Sequence, residues 1–116
     1  MKLSQLLEEI EYTCLQGDPD SEITRLVYDS READEGAAFV CIEGFRSDGH
    51  SYAAKAASQG ACVVVVSKEV EVPEDVTVIF TGDTRIALAF MSAAFLPHFE
   101  NYTFRKLHNC FFTKTD

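Results

Sequence analysis

Residues 37–67 read AAFVCIEGFRSDGHSYAAKAASQGACVVVVS, and this stretch decides the fold. Residues 37–42 are an apolar run, the mark of a strand buried on both faces. Residues 43–50 carry Gly44 and Gly49 and read as a loop. The alanine-rich residues 51–59 favour a helix. Gly60 follows where a left-handed helix cap costs least. Residues 61–67 are then a second buried strand. Strand, helix and strand in this order predict a right-handed parallel crossover.

The flanks extend the same pattern. Leu3, Leu6, Leu7 and Ile10 recur at helical spacing, with Ser4 as the expected cap and Glu8, Glu9 and Glu11 on the other face. Residues 17–20 (Gly-Asp-Pro-Asp) form a turn cluster, and residues 23–28 read as a strand that ends at Asp29. Residues 29–36 are a polar loop. Downstream, residues 76–81 predict a fourth strand. Asp83 or Thr84 then caps a helix bearing Ile86, Leu88, Phe90, Met91, Ala94 and Phe95, which Pro97 ends. The expected fold is α/β, a small mixed, mostly parallel sheet with flanking helices over residues 1–96. Residues 97–116 differ in character. They hold five of the 13 aromatics at no regular period, and three basic residues against two acidic ones. They are expected to form a divergent tail whose aromatics favour self-association.

The chain has 116 residues, 47% hydrophobic and 25% charged, which fits one globular domain. Its net charge of −9 argues against a nucleic-acid partner, because phosphate backbones are held by clustered lysine and arginine. Wholly apolar runs, such as residues 61–66, reach only six residues, far short of the roughly 20 of a membrane span. The N-terminus lacks a signal-peptide core, so the expected location is the cytoplasm, with no membrane partner. Cys14, Cys41, Cys62 and Cys110 form no zinc pattern, and His50, His98 and His108 stand too far apart in sequence for a local metal site. Cys41 and Cys62 read as small buried hydrophobes.

Chemistry concentrates between Tyr28 and His50. Two loops there each follow a strand, and in α/β sheets ligands lie outside the carboxyl ends of strands. The first loop offers Asp29, Ser30 and Arg31, and the second offers Phe45, Arg46, Ser47 and His50. Tyr28 or Phe45 can pack on a base, a serine hydroxyl can meet a base edge, and Arg46 can meet a phosphate. A purely structural reading of the same residues stands beside this one. Asp29 and Asp48 cap turns, Arg31 pairs with Asp34 or Glu35, and the glycines permit unusual backbone. The residues alone leave both open. The chain has no G-x-x-x-x-G-K-[ST] phosphate loop, no G-x-G-x-x-G and no paired catalytic carboxylates. A receiver domain is disfavoured, since no acidic pair follows the first strand.

Asp29-Ser30-Arg31, Gly36, Phe39-Val40, Ile42, Gly44, Asp48-Gly49-His50, Tyr52, Ala56 and Gly60-Ala61 together resemble the N-terminal domain of the Mur ligases. The start of the chain, the Tyr28–Arg31 form and Thr84-Arg85-Ile86-Ala87-Leu88-Ala89 are most similar to the MurE branch, with MurF next. The resemblance covers residues 1–96. It implies a domain that binds the UDP moiety of UDP-N-acetylmuramoyl-L-Ala-D-Glu in peptidoglycan synthesis. Carried over by position, Tyr28 and Ser30 meet the uridine, and Phe45, Arg46 and Ser47 lie in the second nucleotide-contacting loop. Asp29, Arg31 and His50 are expected to shape the loops.

The family reaction uses ATP and magnesium to phosphorylate the D-glutamate carboxylate, and an amine then attacks the acyl phosphate. The phosphate loop for that step does not occur in this sequence. The expectation is therefore a truncated substrate-binding domain with no catalytic residue and no cofactor of its own, inactive as a ligase alone. A non-catalytic interaction or remnant module is the alternative.

Overall fold

The computed structural model describes residues 1–44 and 47–95. The expected tail of residues 97–116, with His98, His108, Cys110 and the Pro97 stop, lies outside the described residues. So do Phe45 and Arg46.

Five strands form one sheet in the order β1-β5-β4-β3-β2. They are β1 (Thr13–Gln16), β2 (Arg25–Val27), β3 (Ala37–Val40), β4 (Val63–Val66) and β5 (Thr77–Phe80). β2, β3, β4 and β5 are parallel neighbours, whereas β1 runs antiparallel on the edge against β5. The sheet is thus mixed and mostly parallel, as the sequence predicts.

The period of two along each central strand sorts the core into two layers. Ala38, Val40, Val63, Val65 and Ile79 face one side, where α1 (Leu3–Leu6) and α3 (Thr84–Phe95) bring Leu3, Leu6, Met91 and Phe95. Ala37, Phe39, Val64, Val66 and Val78 face the other, where α2 (Ala53–Ser58) brings Ala53 and Ala56. Every residue of β3 and β4 is buried, which explains their continuous apolar sequence.

Gly60 closes α2 with a Schellman motif. Its N–H donates to the Ala57 carbonyl at 3.1 Å, and the Ala61 N–H donates to the Ala56 carbonyl at 3.1 Å. Its φ is +114°. Asp83 is the cap of α3, its Oδ1 accepting from the Arg85 and Ile86 backbone N–H groups at 2.9 and 3.2 Å.

Several expectations are corrected. The first helix starts at Leu3, not after Ser4. The Gln5 side chain reaches back to accept from the Lys2 backbone N–H at 3.1 Å, and the regular turn ends at Leu6, well before Ile10. β1 has no counterpart in the sequence reading. On α3, Ile86 and Phe90 are exposed while Ala87, Leu88, Met91 and Phe95 are buried. Cys41 is fully buried, as expected, and burial pushes its thiol up to about 12. Cys62 is only half-buried, because it lies at the rim of the core where its thiol meets the Glu22 carbonyl at 3.6 Å.

Candidate functional site

The two loops meet at the carboxyl ends of β2 and β3. Directly after β2, Tyr28 and Asp29 lead into a short 3-10 turn, Ser30–Glu32. Asp29 caps that turn through the Arg31 backbone N–H at 2.9 Å. The same carboxylate takes the Arg31 guanidinium in a two-pronged pair, with Nε at 3.0 Å and Nη2 at 2.7 Å. Arg31 therefore pairs with Asp29, while Asp34 belongs to Arg25 at 2.7 Å. From the end of α2, Gln59 Nε2 donates to the carbonyls of Ser30 and Ala33 at 2.7 and 2.9 Å. The first loop is thus fixed at both ends, with Ser30 buried between them.

The second loop folds back on itself. The Gly44 N–H donates to the Ser47 carbonyl, and the Gly49 N–H to the Ile42 carbonyl, each at 2.8 Å. A Cβ at Gly49 would lie 2.7 Å from the Ile42 nitrogen and 3.0 Å from its carbonyl oxygen, so this approach requires glycine. Asp48 caps the 3-10 turn Gly49–Tyr52 by accepting from the His50 backbone N–H at 3.0 Å. The nearly buried His50 ring then ties the loop to the end of β4. Its Nε2 accepts from the Ser67 backbone N–H at 2.9 Å, which leaves Nδ1 to donate to Asp48 Oδ1 at 2.6 Å. Lys68 completes the cluster by pairing with Asp48 and, at 3.3 Å, with Glu43. Asp29, Arg31 and His50 thus all make contacts that hold the loops, Arg31 with Asp29 in place of Asp34 or Glu35.

Lys68 above all, with the His50 backbone next, holds the Asp48 carboxyl well below the usual carboxylate range. In the unfolded chain this carboxyl protonates near the ordinary value of about 3.9. The folded state therefore gains stability from ionised Asp48 above that pH and loses it as the pH falls further. Between pH 4 and pH 2, thermal unfolding should show a steeper loss of stability in the unmodified chain than in Asp48→Asn. Parallel pH profiles for the two proteins would contradict this.

Between the loops lies a cleft of about 680 Å³. Of the five residues singled out from sequence, Tyr28, Ser30 and Ser47 line it together. Phe45 and Arg46 lie outside the described residues. Phe39 and Ile42 add apolar surface, and Tyr52 and Lys55 contribute from the α2 side. Arg85 and Leu88 reach it from α3 on the opposite face of the sheet, and Arg85 Nη2 donates to the Glu43 carbonyl at 3.1 Å. Sequence reasoning missed Lys55 and Arg85 as site residues. The available signal for Arg85 was its place in Asp83-Thr84-Arg85, a third loop-to-helix segment after a parallel strand. The arrangement offers aromatic and apolar surface, serine hydroxyls and cations in one recess, which suits a flat polar ring bearing an anionic group. Among the described residues no group of three His, Cys, Asp or Glu side chains could hold a metal ion, and no helix is long and apolar enough to cross a membrane.

Comparison with known proteins gives concordant results. Residues 22–97 match the family described as "Mur ligase family, catalytic domain". The UDP-N-acetylmuramoyl-L-alanyl-D-glutamate--2,6-diaminopimelate ligase of Clostridium perfringens is 42% identical over 93 residues, covering 80% of this chain and 19% of that protein. The Bacillus licheniformis protein of the same name is 44% identical over 96 residues, covering 82% and 19%. Among solved structures, a crystal structure of MurF from Acinetobacter baumannii superposes with a TM-score of 0.67 at 29% identity, covering 80% of this chain and 20% of that one. The chain therefore spans about a fifth of the length of these relatives.

Proposed function

The chain belongs to the Mur ligase family, and on that premise we propose that its cleft binds the UDP end of a muramyl peptide precursor. Its fold is that of the family's N-terminal domain. The observation that carries the proposal is the convergence of Tyr28, Ser30 and Ser47 on one recess at the carboxyl ends of β2 and β3. In this reading the Tyr28 ring and the apolar floor take the uracil, and the serines and loop amides meet its polar edge.

The MurE-type assignment, with UDP-N-acetylmuramoyl-L-Ala-D-Glu as the precursor, rests on relatives named for that substrate at 37–44% identity. MurF structures share the fold at 28–29% identity and support the second reading, in which the precursor carries a longer peptide. The sequence contains no G-x-x-x-x-G-K-[ST] phosphate loop. The role proposed for this chain is to hold substrate.

Calorimetry on the full chain tests this. UDP should bind with a Kd on the order of 1 mM or tighter, and ADP distinctly more weakly. Ser30→Ala should weaken UDP by roughly 1 kcal/mol, about five- to tenfold. Equal binding of UDP and ADP, or an unaffected Ser30→Ala variant, would contradict the proposal.

A further inference from the structure

Three cations line the cleft among the described residues, and they are not equivalent. Arg31 is neutralised by its two-pronged pair with Asp29. Lys55 and Arg85 meet no carboxylate among the described residues. Arg85 spends one N–H on the Glu43 carbonyl, and a guanidinium has five N–H donors. Lys55 stands on α2 and Arg85 on α3, so the two rise from helices on opposite faces of the sheet into one recess.

We propose that Lys55 and Arg85 are the diphosphate-recognising residues of the cleft, flanking the anion while the uridine lies toward Tyr28 and Ser30. This rests on the UDP reading and adds the direction in which the ligand lies. Asp29 offsets the charge of Arg31, so the first loop attracts a diphosphate less than a cation without a carboxylate partner would. Lys55 and Arg85 line the same recess as Tyr28 and Ser30, so a nucleotide whose base packs on Tyr28 can bring its charge to two exposed cations with donors to offer. Arg85 also fixes the chain entering the second loop through Glu43, so that the loop and the anion site are held by one side chain.

The test measures uridine, UDP and inorganic pyrophosphate on the full chain and on Lys55→Gln and Arg85→Gln. Both positions are exposed, and thermal melts confirm that the variants fold. Lys2→Ala, at an exposed site away from the cleft, controls for the lost charge. Each cleft variant should weaken UDP and pyrophosphate by about tenfold while uridine changes less than twofold, and Lys2→Ala should change none of them. Arg85→Lys should restore part of the loss. An equal fall for uridine and UDP would assign the residues a structural role and overturn the proposal. Unchanged UDP affinity in both variants would overturn it too. If the unmodified chain binds pyrophosphate through these residues but not uridine, the UDP reading fails and the anion site stands. If it binds neither UDP nor pyrophosphate, both fall.

Discussion

Gly60→Ala is expected to destabilise the fold by about 3 kcal/mol. That corresponds to a fall in the thermal midpoint of roughly 12–24 °C for a domain of this size. Two independent costs combine here. The φ of +114° is one that side-chain-bearing residues rarely adopt. An added Cβ would also lie 2.7 Å from both the Cα and the backbone nitrogen of Glu35, which are backbone atoms with no rotamer to yield. The Gly60 carbonyl accepts from the Gly36 N–H at 3.1 Å, so the strain passes directly into the turn that leads to β3. Thermal denaturation followed by circular dichroism measures it. A midpoint within a few degrees of the unmodified chain would show that the turn relaxes at little cost, and would contradict the account.

Phe39→Ala should cost about 3–5 kcal/mol, the usual range for removing a buried aromatic side chain. Phe39 is 1% exposed, sits in β3 between β2 and β4, and lines the cleft as well as the core. The substitution should therefore lower stability and weaken UDP together. Phe39→Leu keeps most of the apolar volume and should recover much of the stability. Denaturant unfolding and nucleotide binding on both variants check this. A stable Phe39→Ala protein with unchanged UDP affinity would show that the side chain supports neither the core nor the cleft.

The central elements were legible because burial writes itself directly into sequence. β3 and β4 are covered on both faces, so 37–42 and 61–67 are continuous apolar runs that admit few other readings. Gly60 marked the end of α2, and Asp83 the start of α3, through local chemistry alone. β1 was not legible. It is a four-residue edge strand, half-exposed along its length, with a register shift between Cys14 and Gln16. Its pairing is set by β5, not by a pattern of its own. The first helix misled through Ser4, a good cap by type, because Gln5 reached the Lys2 N–H instead. On α3, Ile86 and Phe90 extended the apolar pattern beyond the face that the sheet buries.

The site divides in the same way. Tyr28, Ser30 and Ser47 lie on loops that directly follow strands, so their convergence follows from the α/β plan. Lys55 and Arg85 line the cleft from α2 and α3, and Gln59 holds the first loop from the end of α2, at positions up to 57 residues from Tyr28 in sequence. Their roles depend on how α2 and α3 end against the sheet, which no local pattern records. The purely structural reading paired Arg31 forward with Asp34 or Glu35, and it turns back to Asp29. That difference matters for charge, because among the described residues it leaves Lys55 and Arg85 as the cleft cations that meet no carboxylate.

The most direct test of the account is an NMR titration of the isotopically labelled 116-residue chain with UDP, using ADP as the control. UDP should shift the amides of residues 28–31, 44–49, 52, 55 and 85, and ADP should leave them largely in place. No shifts with millimolar UDP, or the same shifts with ADP, would contradict a uridine diphosphate site in this cleft.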